Sequence, residues 1–310
     1  MGLRLLAQLH ARGTPPVKCL VLGRHNEIVK AQYPNNQDIR CLSIDLDHRK
    51  SLFGAKRAAK LAPWVVYLAP PPATGSDDPR MKHFIAASAA ISSATTSYRA
   101  TSAASFRRLQ RCVYVSTTGV YGTAQGAWVR ETSPIKPTEA RGVRRVAAEN
   151  RLKRSAFASV SVLRAPGIYA ADRLPIERIQ KGLPAFSPAD DVPTNHIHAD
   201  DLARLCWLAL FKGRNRRAYN AADGEPMMHA EYLERVATCF NLPFPPRIGA
   251  EQAQAALTPM AWSMLSGARR VSSARIFREW GIKLKYPNMT QFLDTVQIET
   301  KSETDRELVR

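Results

Sequence analysis

Two arginines one helical turn apart, Arg141 and Arg145, and a run of hydroxyls, Ser116-Thr117-Thr118, are the residues best placed to do chemistry in this chain. The hydroxyls close a strand-like run, Cys112-Val113-Tyr114-Val115, and Gly119-Val120-Tyr121-Gly122 then turns the chain out. A threonine at a strand end can hydrogen-bond a substrate oxygen, or it can simply satisfy the turn. A guanidinium keeps its proton at any ordinary pH. Arg141 therefore has no proton to shuttle, but it can bind a carboxylate or phosphate, and Arg145 can supply fixed positive potential. The competing reading is a pair of solvated arginines on a basic helix that also carries Arg144, Arg151 and Lys153. His196 and His198 stand two residues apart without accompanying carboxylates, which is weak support for a metal. The five cysteines (Cys19, Cys41, Cys112, Cys206, Cys239) are scattered with no Cys-x-x-Cys pair, so neither zinc nor a disulfide framework is indicated.

The elements that must position these residues follow from patterning. Residues 17–22, 39–44, 64–68, 112–116 and 160–164 are apolar runs of strand length. Residues 2–12, 52–61, 80–109 and 201–211 read as helices, as does most of the chain from 231 onward. Strands alternating with helices argue for a doubly wound α/β domain, a parallel sheet with helices on both faces. After Arg164 the pattern turns irregular and proline-rich, which predicts a smaller, mostly helical C-terminal lobe. Residues 298–310 are charged without an apolar face and are expected to be a disordered tail.

Read together, Ser116-Thr117-x-x-Val120-Tyr121-Gly122, Glu131-x-x-Pro134-x-x-Pro137 and Glu149 resemble the active-site block of the extended short-chain dehydrogenase/reductases, the NAD-dependent epimerase/dehydratase group. The segments 163–169 and 195–203 resemble two further blocks of that family, and the likeness runs from Gly2 to about Phe292. In the family a Tyr-x-x-x-Lys pair transfers the proton and holds the nicotinamide ribose. Here that pair falls on Arg141 and Arg145, while Thr117 takes the place of the catalytic Ser/Thr. The resemblance thus implies catalytic positions at Thr117, Arg141 and Arg145. It implies a Rossmann-like NAD(P)-binding domain over 1–165, with 195–223 returning to it, and a substrate lobe of 166–194 and 224–297.

The cofactor positions follow from the same likeness. Gly2 stands where the last glycine of the phosphate turn falls, Arg145 takes the position that holds the nicotinamide ribose, and Ser116 is a further cofactor-binding position. Asp45 and Leu46 meet the adenine, Ala69 and Pro70 offer main chain, and Ala165 and Pro166 pass the nicotinamide amide. Arg24 ends the second strand of such a fold, where a guanidinium can pair with a 2′-phosphate. That favours NADP over NAD, although a plain surface arginine reads equally well. Tyr121, Arg173, Asn195 and His198 are the substrate-facing positions. The first strand and most of the G-x-G-x-x-G turn are missing, so a start placed too far downstream is expected in preference to a truncated variant.

A formal charge of +19 and a pI of about 10.2 invite a nucleic-acid reading, but the basic residues are spread along the chain without a recognition motif. No apolar run approaches the roughly 18 residues of a membrane span. Three functions stay open. The first is an NAD(P)-dependent oxidoreductase or epimerase in which a substrate group, water, Tyr121 or His198 replaces the missing tyrosine. The second is a non-catalytic NADP sensor or scaffold. The third, resting on charge alone, is a nucleic-acid-associated protein. A cytoplasmic protein with a small-molecule substrate is expected, with no specific nucleic acid and no membrane; a homodimer is compatible with this reading.

Overall fold

The computed structural model describes residues 1–11, 17–48, 51, 62–93, 111–256, 262 and 268–296. The chain runs α1 (Gly2–His10), β1 (Cys19–Gly23), α2 (Glu27–Gln32), β2 (Ile39–Ser43), β3 (Trp64–Tyr67), α3 (Pro79–Ser93) and β4 (Arg111–Thr117). It continues with β5 (Trp128–Val129), α4 (Ala140–Lys153), β6 (Ser159–Ala165), β7 (Gly167–Tyr169), α5 (Ile176–Gln180), β8 (Ala185–Phe186), β9 (Pro193–Thr194) and β10 (His196–His198). Then come α6 (Ala199–Lys212), β11 (Arg217–Asn220), β12 (Met227–Met228), α7 (His229–Cys239), β13 (Arg247–Ile248), α8 (Ala250–Ala256), β14 (Arg270–Val271) and α9 (Ala274–Trp280), with a last helix at 289–296. The five strands expected from apolar runs are present within two residues at each end. The helix expected at 52–61, the stretch 94–109 and the tail from 298 lie outside the described residues.

The chain divides into two units. The first comprises residues 1–117, 140–163 and 203–218; the second comprises 118–139, 164–202 and 219–310. In the first unit β1 and β2 pair in parallel, and a second sheet runs in the order β11-β6-β4-β3. β3 and β4 are parallel, with Tyr67 level with Tyr114. Cys112, Val113 and Tyr114 are almost wholly buried, as continuous apolar strands covered on both faces should be. Helix α4 packs Ala148 and Leu152 against Cys112, Tyr114, Val160 and Val162, and α3 adds Met81. This packing fixes the face of α4 that carries the arginines.

The second unit holds short strand pairs. β7 lies parallel to β10, with Gly167 level with His196, and β14 lies parallel to β5. Its core gathers Tyr169, Ile179, Leu233, Val236, Met289 and Phe292. Gly122, at φ +68°, makes the turn that the Gly119–Gly122 run announced. Among the described residues no helix is long and apolar enough to cross a membrane, and no group of three or more His, Cys, Asp or Glu side chains is arranged to hold a metal ion.

Candidate functional site

Arg145 is buried beside the carboxyl end of β4. One guanidinium nitrogen, Nη1, donates to the Tyr114 hydroxyl at 3.1 Å and to the Val115 carbonyl at 2.8 Å. The next residue, Ser116, donates its hydroxyl to Glu149 Oε1 at 2.6 Å, and Glu149 also faces Lys153 at 3.7 Å. The strand end is thereby tied to two successive turns of α4. Arg144 is buried as well, with Nη1 donating to the Gly75 carbonyl at 2.8 Å. The helix does not present a row of solvated arginines: Arg144 and Arg145 are only 6% and 8% exposed.

Arg141 keeps contact with solvent, yet desolvation and the neighbouring charges of Arg145 and Arg144 hold its pKa below the ordinary arginine value. Tyr114 is fully buried, and desolvation pushes its pKa up to about 12 despite the Arg145 hydrogen bond. Asp78 caps α3 by accepting the Met81 N–H at 3.0 Å. Burial raises its pKa, with the Arg145 charge opposing. Successive strand residues point to opposite faces, so Thr117 is turned away from the Ser116–Glu149 contact.

The other cofactor positions of the first unit are also defined. Arg24 is largely exposed at the end of β1, and its ion pair with Asp47 is long, 3.8 Å. Asp47 already grips Arg80 through two bonds of 2.6 and 2.7 Å. The Asp45 carboxylate holds its own turn, accepting the Asp47 N–H at 2.9 Å with His48 Nδ1 at 3.2 Å. The Leu46 side chain packs on the core, and its carbonyl lies 2.9 Å from His83 Nδ1. Ala69 packs on that core too, while the Pro70 carbonyl accepts from Arg80 at 2.9 Å. A side chain at Gly2 would meet only Leu68, at an ordinary 3.9 Å.

In the second unit Tyr121 donates its hydroxyl to Asn220 Oδ1 at 2.7 Å and accepts from Arg164 Nη1 at 3.0 Å. Desolvation raises its pKa, with Arg164 opposing. Glu131 accepts the Asn220 N–H at 2.9 Å. Residues 269–272 gather this network. Arg269 donates to the Gly122 carbonyl, the Asn220 amide donates to the Ser272 carbonyl at 2.9 Å, and Asn195 bonds both Arg269 O and Val271 N–H. The Asn195 amide is thus engaged in holding backbone. His198 is buried, with its ring against Tyr169, Tyr286 and Phe292 and its Nδ1 accepting the Asp200 N–H at 3.2 Å. Arg173 is exposed at the end of a short 3-10 turn; Ala165 is buried and Pro166 half-buried.

Asp223, buried in the second unit, has its pKa raised to about 8, first by desolvation and next by the Glu225 charge. The folded protein therefore holds a proton there that an unfolded chain releases near its ordinary value of 3.8. The resulting stabilisation is complete below that value and is lost as pH rises through about 8. Asp223→Asn should gain stability relative to the parent on going from about pH 5 to about pH 9. Denaturant midpoints measured at both pH values test this; parallel profiles for the two proteins would refute it.

The sequence matches the NAD dependent epimerase/dehydratase family over residues 1–222. The chain belongs to that family. Its relatives include Protein YeeZ of Escherichia coli strain K12, 28% identical over 183 residues, or 58% of this chain and 60% of the relative. The chain therefore spans about 60% of the length of the curated relative it matches. A functionally unknown conserved protein from Silicibacter pomeroyi DSS is 27% identical with a TM-score of 0.66, covering 91% of this chain and 98% of its own. The dTDP-glucose 4,6-dehydratase DesIV of Streptomyces venezuelae, solved with NAD and TYD bound, shares the fold at 16% identity. Its TM-score is 0.74 over 97% of this chain and 94% of its own.

Within this epimerase/dehydratase member, sequence reasoning left three buried groups without a role: Arg144, Asp78 and Arg164. One signal was available. Arg164 interrupts the apolar run Val160–Leu163, and a charge inside a buried strand has to find partners. Tyr67 and Tyr114 likewise place hydroxyls inside buried strands.

Proposed function

We propose that this protein binds NAD(P) and acts on a small-molecule substrate as an oxidoreductase or epimerase of its family, with the proton carried by a group other than the side chain at 141. The observation that carries this reading is the pinned guanidinium of Arg145, held at the strand end in the family's lysine position. A fixed cation there suits ribose hydroxyls and gives positive potential without titrating. Two residues support a dinucleotide here although most of the glycine turn is missing: Arg145, and Arg24, an exposed cation whose ion pair with Asp47 is long. DesIV, which shares this fold, holds NAD. When bound, the nicotinamide supplies hydride chemistry.

Among the chain's own residues, Thr117 is the hydroxyl proposed to hold the substrate oxygen, and Arg145 and Ser116 to border the ribose. Tyr121 and His198 are both buried, and the Tyr121 hydroxyl is committed to Arg164 and Asn220. Water or a substrate group is therefore the better proton carrier. The guanidinium at 141 also favours a second reading, a cofactor-binding sensor or scaffold without turnover. Hydride transfer assayed with aldehydes, ketones and nucleotide sugars separates the two.

Arg24 gives the cofactor preference. NADP(H) should bind more tightly than NAD(H), and Arg24→Ala should weaken NADP(H) about tenfold while sparing NAD(H), the loss of one charge-assisted phosphate contact. Calorimetric titration decides it; equal affinity for the two cofactors in the parent would reject the assignment.

A further inference from the structure

Among the described residues, Arg144 and Arg145 are each held by a single nitrogen. In both, the hydrogen bonds made to the described residues come from Nη1: to Gly75 O in one, to Tyr114 OH and Val115 O in the other. In both, Nε is buried with no hydrogen-bond partner among those residues. The edge that makes no hydrogen bond to those residues, Nε with Nη2, is the pair of parallel donors with which a guanidinium grips two oxygens of a carboxylate or phosphate. A buried donor left unsatisfied costs about 1–3 kcal/mol, and two on adjacent residues leave room for acceptors beyond the described residues, a ligand's oxygens among them.

The charges agree. Arg141, one turn back on the same helix, has its pKa depressed by desolvation and by the charges of Arg145 and Arg144. Two carboxylates of this region are engaged elsewhere. Glu149 takes the Ser116 hydroxyl and faces Lys153, and Asp77 holds Arg151 at 2.6 Å. Asp78 interacts with Arg145 through its charge, and one of its oxygens, Oδ2, is buried without a hydrogen-bond partner among the described residues; a single carboxylate faces the charges of three arginines there. The three arginines also occupy the first two turns of a 14-residue helix, the end whose backbone dipole favours an anion.

We propose that Arg141, Arg144 and Arg145 form an oxyanion-binding site that takes a carboxylate or phosphate group of the ligand. Calling that ligand the substrate rests on the function proposed above; the binding itself does not. Arg141 stands at the family's proton-transfer position, and Arg144 adds a second guanidinium beside it for an anion. The Arg144 side chain leaves the helix beside Arg145 and is fixed before any ligand arrives, so little conformational freedom remains to be lost.

The full-length chain is titrated calorimetrically with inorganic phosphate and with malonate, against chloride at matched ionic strength. Saturable binding of either anion is expected: phosphate alone identifies a phosphorylated ligand, malonate alone a carboxylate. Arg141→Ala and Arg144→Gln should each weaken it about tenfold. Arg144→Lys keeps the charge but not the fork, and serves if the glutamine variant fails to fold; it should lose binding as well. Binding no stronger than chloride, or affinity unchanged in Arg141→Ala and Arg144→Lys, overturns the proposal. NADPH and NADH titrations run alongside keep the two readings apart. Anion binding without cofactor binding defeats the cofactor assignment and leaves this site standing. Cofactor binding with no anion site defeats this inference alone.

Discussion

Gly122→Ala is expected to lower stability by about 3–5 kcal/mol, at the severe end of what single substitutions do. Two effects add. The residue sits at φ +68°, where a side chain costs about 1–2 kcal/mol. A Cβ there would also overlap the Lys136 carbonyl oxygen and come within 3.1 Å of its carbon, and backbone cannot step aside as a flexible side chain can. The Gly122 carbonyl meanwhile accepts from Arg269, so relaxing the turn disturbs residues 269–272 and the Asn195 and Asn220 amides that hold them. Gly182→Ala separates the two contributions. That glycine has φ +61°, but a Cβ added to it would meet nothing within 4 Å, so only the conformational part should be lost. Equal midpoint shifts for the two variants in urea would show that the Lys136 overlap is relieved at no cost.

If the chain turns over as proposed, with Thr117 holding the substrate oxygen, Thr117→Ala carries the largest expected effect on activity, about 100-fold or more in turnover, the usual loss when such a donor is removed. Arg141→Ala should behave differently. Guanidinium does not exchange its proton in the working range, so its loss should raise KM for an anionic substrate more than it lowers kcat. The double change Arg141→Tyr with Arg145→Lys restores the family pair and removes two of the three guanidinium groups. Activity that arises only in that variant would identify a lapsed enzyme. Parent activity abolished by Arg141→Ala at unchanged substrate affinity would instead put Arg141 in the chemical step and refute its assignment to binding.

Much of the framework was legible in sequence for a physical reason. A parallel strand covered on both faces is a continuous apolar run, and 112–115 is such a run, so β4 fell where expected; β6 was found from Val160, Val162 and Leu163 in spite of Ser161 and Arg164. The spacing of Ser116, Tyr121, Glu131 and Glu149 carried the family. Short strands did not announce themselves: β7 and β10 are three residues each and depend on each other across a long stretch of chain. The arginines of α4 were harder still. Periodicity counts charge as solvent-facing, and nothing local to Arg144 and Arg145 reports that Gly75 O, Tyr114 OH and Val115 O will receive them. Glu149 stood out only as a position in a pattern. Its bond to the Ser116 hydroxyl gives that position a cause: it clamps the strand end to the helix.

The first unit is assembled from three separate stretches of chain, the last of which is 203–218. Its sheet has β11 at one edge, and β11 begins only at Arg217. A ribosome making this protein must therefore reach Arg217 before that sheet can be completed. Until then β6 emerges with one flank unpaired, an open edge of the kind that recruits other chains. The order of synthesis thus sets a window in which the nascent protein depends on chaperones or on speed, and slow translation between β6 and β11 would lengthen that exposure without altering a single native contact.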